Sequence, residues 1–240
     1  SLRKASERLR QLGVFSSVTV RESEQLAANG SLPLTIEVSE GKHRYFGLGA
    51  QFSTTEGAGL QGYWGHRNLF GKAETLRIEG SVSRLGEASS VEGMDYSAGI
   101  TFTKPGVFHP SATFKASLIA KTEHPDTYEA KTITGAAGFS YEVNDTDTAA
   151  AGLEVSWTDT DDAYGNNKYL TTSIPLEYVR DTRDNKLDPT TGFRAAIAAK
   201  PSYEAMNGTF FSTFEGSATA YKGLGQEDRV VLAGKLGAGV

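Results

Sequence analysis

The sequence predicts a mainly β, antiparallel transmembrane β-barrel, and two observations carry that prediction. First, runs of about ten residues alternate apolar with polar side chains: in one run Leu76, Ile78 and Val82 share a face, and Arg77 and Glu79 share the other. Successive side chains of a strand point to opposite faces, so each run has an apolar face and a polar face. Second, turn residues rather than long helices separate the runs, which is typical of outer-membrane barrels.

The composition agrees with a barrel and excludes several other classes. The chain has 240 residues, 38% of them hydrophobic, and a net charge of −5. No run approaches the roughly 18 apolar residues of a membrane-spanning helix. The net negative charge argues against nucleic acid as a partner, because phosphate binding needs a basic surface. With no cysteine, the chain has neither disulfides nor thiolate metal sites.

The first forty residues have a different pattern from the rest. Apolar residues at helical spacing predict an amphipathic helix from Leu2 to Leu12, and Gly13 is a suitable residue to end it. A strand at 15–20, a polar loop at 22–31 and a strand at 32–38 follow. A helix and a strand pair make up half of a small α/β module, and a truncated helix–hairpin cap is the alternative that the same pattern allows. Because both ends of the chain lie inside patterned segments, we expect it to be a fragment.

From Lys42 onward the pattern predicts strands alone. The predicted strands are 43–54, 59–68, 73–85, 93–104, 111–123, 128–142, 148–159, 168–180, 192–204, 208–221 and 228–240. Short connections are expected at 68–72, 104–110, 143–147 and 222–228, and longer ones at 86–92 and 159–167. Short turns on one rim and longer loops on the other are typical of the periplasmic and extracellular rims of barrels.

A water-soluble β-sandwich is the structural alternative, since its strands alternate too. The length and number of the predicted strands favour the barrel. Aromatic residues near predicted strand ends are expected to form girdles at the membrane surface: Tyr45, Tyr63, Trp64, Phe70, Trp157, Tyr169 and Tyr178. Because lipid does not tolerate open sheet edges, we expect the intact protein to contain further strands.

Three stretches go beyond this general pattern. They are Leu-Gly-Val-Phe-Ser-Ser-Val at 12–18 with Leu-Thr-Ile-Glu-Val-Ser-Glu-Gly at 34–41, His-Arg-Asn-Leu-Phe-Gly-Lys-Ala-Glu at 66–74, and Arg-Asp-Thr-Arg-Asp-Asn with Leu-Asp-Pro-Thr-Thr-Gly-Phe at 180–193. Together they resemble the outer-membrane β-barrel assembly superfamily of the bacterial surface antigen type. In that family, periplasmic POTRA modules precede a sixteen-stranded barrel. Within it the chain is most similar to the TamA branch, which belongs to the translocation and assembly module.

The resemblance implies two domains, the C-terminal part of the last POTRA module at 1–41 and about eleven of sixteen barrel strands at 42–240. It implies a pore in the bacterial outer membrane, with the N-terminal module in the periplasm. This pore inserts or translocates outer-membrane proteins, notably autotransporters. The implied partners are unfolded clients, the lipid bilayer and a periplasm-spanning TamB-type protein, with no cofactor. The family's Arg-Gly-Phe/Tyr lid-loop motif is absent from the chain.

The implied mechanism is the opening of a poorly paired seam at the first barrel strand, where a client adds a strand by β-augmentation. In this sequence the seam candidates are Tyr45, Gly47, Gly49 and Gln51, and we expect the glycines to give little cross-strand packing. The motif residues in turns are Arg67, Asn68, Gly71, Arg180, Asp181, Asp184, Asp188, Pro189 and Gly192. Ordinary turn chemistry and a solvated ionic cluster are the structural alternatives for these residues.

No catalytic site is predicted. His43, His66, His109 and His124 have no metal-site spacing, and no G-x-S-x-G motif occurs. The aspartates and asparagines of 159–167 could bind calcium, but they lack the regular loop pattern with a distal glutamate. We therefore predict a protein that is not an enzyme. The functional alternatives are a passive or substrate-selective pore and a barrel enzyme.

Overall fold

The computed structural model describes residues 2–22, 25, 32–53, 57–86, 93–125, 127–225 and 229–240, which form one helix and fourteen strands. The first elements are α1 (Leu2–Gln11), β1 (Phe15–Glu22) and β2 (Leu34–Glu40). The others are β3 (Arg44–Ser53), β4 (Gly57–Arg67), β5 (Thr75–Leu85), β6 (Asp95–Pro105), β7 (Ala112–Glu123), β8 (Tyr128–Glu142), β9 (Asp147–Asp162), β10 (Gly165–Ser173), β11 (Leu176–Asp181), β12 (Thr191–Glu204), β13 (Thr209–Leu224) and β14 (Val230–Gly239).

The helix and the first hairpin form as predicted. The chain leaves α1 through Gly13, whose φ of +68° suits a residue without a side chain. β1 and β2 pair antiparallel as a sheet of their own, and the side chains of Val14 and Val18 are buried beside the hairpin. The predicted loop at 22–31 lies outside the described residues except at 22 and 25. The assignment of 1–41 to a POTRA module remains a prediction.

Strands β3 to β14 form one antiparallel sheet, and every predicted barrel strand is present. The neighbours follow chain order from β3 to β14. β10 and β11 share one line of the sheet, because both pair with β9 and β12. They are separated at Pro175, which has no N–H to donate to the ladder. The preceding Ile174 N–H still donates to the Pro201 carbonyl oxygen at 3.0 Å, so the predicted strand 168–180 is interrupted but keeps its register.

The expected long connection at 159–167 is wrong. β9 and β10 continue through it, and Asp162 pairs with Gly165, leaving a turn of Ala163 and Tyr164. Gly165 has a φ of +115°, and the Asn166 side chain donates to Asp159 at 2.7 Å across the hairpin. The connection 182–190, on the opposite rim, is longer. The expected division into a short-turn rim and a long-loop rim is therefore wrong.

The apolar face of the sheet is uncovered. On β3, Leu48 is 88% exposed and Phe46 is 79% exposed. Within the described residues a single sheet spans β3 to β14, with no second sheet against its apolar face, so the β-sandwich alternative is wrong. Among those residues, no helix is both long and apolar enough to cross a membrane, and this finding says nothing about strands.

Candidate functional site

The predicted seam strand is β3, which lies at one edge of the described sheet. It pairs with β4 from Arg44 opposite His66 to Ser53 opposite Gly57. In the part of the chain that the structure describes, no strand pairs with its other edge. An unpaired strand edge presents a row of free N–H and C=O groups that can template another strand. β3 and β14 are the two end strands of the described sheet, and β3 is the one that the predicted seam concerns.

All four predicted seam residues lie on the polar face of β3, and each is opposite a matching residue of β4. Two large side chains of β3 face glycines, and two glycines of β3 face large side chains. The pairs are Tyr45 with Gly65, Gly47 with Tyr63, Gly49 with Gln61, and Gln51 with Gly59. In the two tyrosine pairs the ring occupies the space that a Cβ on the glycine would take, and in the two glutamine pairs the side chain lies 3.1 Å from that position. The expectation that these glycines give little cross-strand packing is therefore wrong, because β4 supplies the cover.

Two arginines lie over the two tyrosine rings. The guanidinium carbon of Arg67 is 4.7 Å from the ring centroid of Tyr45, and that of Arg77 is 4.0 Å from the ring centroid of Tyr63. These distances are in the range of cation–π attraction. Arg77 is also held by Glu79, with 2.8 Å between Nε and Oε2. The structure thus brings Arg67, a predicted turn residue, to the predicted seam residue Tyr45.

Tyr63 and Arg77 were not predicted as site residues. Tyr45, Tyr63 and Tyr169 were expected in an aromatic girdle, but all three lie on the polar face of the sheet, and that expectation is wrong for them. Tyr45 and Tyr63 are opposite to Leu48 and Trp64, and Tyr169 is next to Leu170, which pairs with Trp157. The signal that could have identified them is the alternation itself, because it assigns Tyr63 and Arg77 to the polar faces of neighbouring strands. The pairing register, which alternation does not give, was also needed.

The turn between β4 and β5 is built by the second motif. Asn68 has a φ of +70°, and its side-chain oxygen accepts the Ala73 N–H at 2.9 Å. Gly71 has a φ of +87°. Glu74 is 2% exposed and its carboxylate is 3.4 Å from the Lys104 ammonium. Burial raises the pKa of Glu74, but hydrogen bonds from backbone N–H groups and Lys104 outweigh it and lower that pKa overall. The turn candidates Asn68 and Gly71 therefore have structural roles.

The third motif forms the connection from β11 to β12. Arg183 makes a two-pronged ion pair with Asp181, at 2.8 and 2.7 Å. The Asp184 carboxylate accepts the N–H groups of Thr191 and Thr190, both at 3.0 Å. These bonds, with the Thr190 hydroxyl, lower the pKa of Asp184 from 3.8 to about 2.

The remaining candidates of this motif lie in the connection or in the strand ends beside it. Gly192 has a φ of +95°, and a Cβ there would meet the Arg183 Cα at 2.9 Å. Asp188 donates its N–H to the Asn185 side chain at 3.4 Å, and Pro189 follows it in the same connection. Arg180 lies in β11, 3.5 Å from the Asp147 carboxylate. The structure does not bring these residues to β3.

Helix α1 contacts the rim that carries these connections. The Arg8 guanidinium donates to the Ser111 hydroxyl at 3.0 Å, in the connection between β6 and β7. A groove of about 990 Å³ separates the helix from the connection between β8 and β9. Its lining is mixed in charge and includes Arg8, Lys186, Glu7 and Asp181. The helix–hairpin module therefore docks against one end of the sheet.

Two of the residues considered for catalysis or metal binding lie close to charged partners. His124 lies between Asp95 and Glu129, at 3.2 and 3.5 Å. Asp159 contacts Lys168 at 3.8 Å in the β9–β10 hairpin. Within the described residues, no group of three or more histidines or carboxylates is arranged to hold a metal ion.

The comparisons with known proteins agree with this architecture. BamA from Haemophilus ducreyi lacking POTRA domains 1–3 is similar in structure, with a TM-score of 0.73 and 13% sequence identity, over 98% of this chain and 48% of that chain. CdiB from Escherichia coli has a TM-score of 0.62 and 13% identity, over 99% of this chain and 47% of that one. At this identity the similarity concerns the fold, an antiparallel sheet of the BamA barrel type. The chain spans about half the length of either structure.

A comparison of the sequence with protein-family models identifies the family. No curated protein matches the sequence. The family model described as the Omp85 superfamily domain matches residues 68–240, which is more than half of the chain. The match begins at the turn after β4 and includes the second and third motifs except for the first two residues of the second. The chain belongs to the Omp85 superfamily.

Proposed function

We propose that this chain is part of a pore that inserts or translocates outer-membrane proteins, and that β3 is the strand to which a client adds. Membership of the Omp85 superfamily and the barrel-type sheet indicate the bacterial outer membrane and a role in assembly or translocation. The seam is assigned to β3, rather than to the other end strand β14, because β3 is the first strand of the sheet and the resemblance of the motifs implies a seam at the first barrel strand. A client strand pairs with that edge through its main chain, as in other cases of β-augmentation.

The finer parts of the proposal follow the resemblance of the motifs. Residues 42–240 are about eleven strands of a sixteen-stranded barrel, and 1–41 are the end of a periplasmic POTRA module. The contact between Arg8 and Ser111 supports a module that acts together with the barrel rim. Autotransporters are the proposed clients, and the TamA branch with a periplasm-spanning TamB-type partner is the proposed setting. No enzymatic activity is part of the proposal.

A disulfide across the seam tests this function in the full-length protein. Leu48→Cys would be paired with a cysteine in the final barrel strand, and the oxidised protein is expected to keep its fold but lose client insertion. Ile78→Cys with Ile100→Cys, which are directly opposed on β5 and β6, is the matched control and should leave insertion unchanged. Normal insertion with the seam disulfide fully formed would refute the seam.

The alternative function is that of a passive or substrate-selective pore. A passive pore would still conduct when residues 1–41 are removed, whereas a pore whose rim works with the N-terminal module would lose client insertion. Measuring ion conductance and client insertion on the same vesicles separates the two. Unchanged client insertion after the deletion would contradict a role for the module.

A further inference from the structure

Glycines alternate with large side chains on the polar faces of β3 and β4, and each large side chain covers a glycine of the other strand. These contacts stabilise the pairing of β3 with β4. The cover of Gly47 by Tyr63 links β3 to β4, and the contact of Arg77 with the same ring links β4 to β5. Aromatic cover of glycines is a known device for fixing strand pairs. On the apolar face Leu48 lies over Gly62 in the same way, 2.9 Å from the position of a Cβ there, although Leu48 itself is 88% exposed. The polar face differs in that its two tyrosine rings are also covered by arginines.

The same alternation favours the observed register of β3 on β4. In the observed register all four polar-face pairs join a glycine to a tyrosine or a glutamine. A slip of two residues in one direction would oppose Tyr45 to Tyr63 and Gly49 to Gly59. A slip in the other direction would oppose Gly47 to Gly65. Each slip leaves a pair of opposed glycines without cover, whereas the observed register leaves none, so the observed register is favoured.

We propose that Tyr45 and Tyr63, each seated on the opposing glycine and covered by an arginine, are positioning residues that keep β3 on β4 while its other edge opens. The inference rests on the proposed seam. A strand that templates a client must keep a fixed register, because a slip of one residue would turn every side chain to the other face. The contacts with β4 and β5 keep that side of β3 paired, so strand separation is limited to the other edge of β3.

Hydrogen exchange of the full-length protein in lipid vesicles, without client, tests directly whether Tyr63 keeps β3 paired with β4. This stabilisation of β3 on β4 by the tyrosines is called the hold below. Tyr63→Ala should speed the exchange of β3 amides by about five- to tenfold, since it removes a cross-strand pair and a cation–π contact. Tyr63→Phe keeps the ring and should exchange like the parent. Tyr169→Ala, on the polar face of β10, is the matched control and should leave β3 unchanged.

Gly47→Ala is a second variant, because its methyl group would displace the Tyr63 ring without removing it. It should also speed exchange in β3. Parental exchange rates in both Tyr63→Ala and Gly47→Ala would overturn the hold.

Client insertion separates the hold from the proposed function. Tyr63→Ala should slow insertion. A disulfide between Ala50→Cys and Leu60→Cys, which are directly opposed on β3 and β4, should restore insertion when oxidised and not when reduced. The disulfide between Ile78→Cys and Ile100→Cys also stabilises the sheet but should not restore insertion, and rescue by both disulfides would mean that the tyrosine contributes only to overall stability. Faster exchange with unchanged insertion would keep the hold but refute the seam as the insertion site.

Discussion

Gly152→Ala should destabilise the barrel, although alanine is usually the better residue in a strand. Gly138 and Gly152 are directly opposed where β8 meets β9. A Cβ on Gly152 would lie 2.8 Å from the Ala137 carbonyl oxygen and 3.2 Å from the Gly138 Cα. A Cβ on Gly138 would lie 2.7 Å from the Ala151 carbonyl oxygen. These neighbours are backbone atoms, so no side-chain rotation relieves the overlap.

The magnitude follows from two opposing effects. Replacing a strand glycine by alanine gains about 0.5–1 kcal/mol. Overpacking against a neighbour that cannot rotate away costs about 1–3 kcal/mol. We therefore expect Gly152→Ala to lower the free energy of unfolding by about 1 kcal/mol, and by up to about 2 kcal/mol if the strands do not separate.

Urea unfolding of the full-length protein in vesicles, followed by tryptophan fluorescence, measures this difference. Gly216→Ala on β13 is the matched control, because nothing lies within 4 Å of its Cβ position. It should stabilise the protein by about 0.5–1 kcal/mol. A Gly152→Ala protein as stable as Gly216→Ala would refute the argument from close backbone approach.

Three further predictions concern the rims and the two faces. The pKa of Asp184 is lowered from 3.8 to about 2. The stability that the ionised Asp184 contributes is therefore present above pH 3.8 and is lost as the pH falls towards 2. Asp184→Asn should speed amide exchange in the 182–190 connection at pH 6 but not at pH 2. Glu204 accepts the Leu170 N–H at 3.1 Å and two N–H groups of its own hairpin, so Glu204→Ala should speed exchange at 205–208 and at Leu170, which an unchanged exchange map would contradict. A spin label at Ile78 should be relaxed mainly by oxygen dissolved in lipid, and a spin label at Glu79 mainly by a water-soluble nickel complex. The opposite accessibilities would refute the assignment of the two faces.

The sequence predicts the strands well because alternation is a local property that survives in the fold. It fails at 159–167, where Asp, Asn and Gly suggest a loop, because cross-strand bonds such as Asn166 to Asp159 keep the chain extended. It also fails for the packing of Gly47, since the cover comes from Tyr63, sixteen positions away in the sequence. Which β4 residue lies opposite Gly47 is fixed by register, a tertiary property that a single sequence does not contain.

The turn after β4 shows that the structural and functional interpretations of a motif residue need not be alternatives. Asn68 and the buried Glu74 close the turn through their hydrogen bonds, and this fixes the end of β4. Arg67 is the last residue of that strand, and its N–H donates to the His43 carbonyl oxygen at 2.6 Å, at the start of β3. Its side chain is thereby placed over the Tyr45 ring. The ordinary turn chemistry of the motif is thus what positions Arg67 at the strand proposed to open.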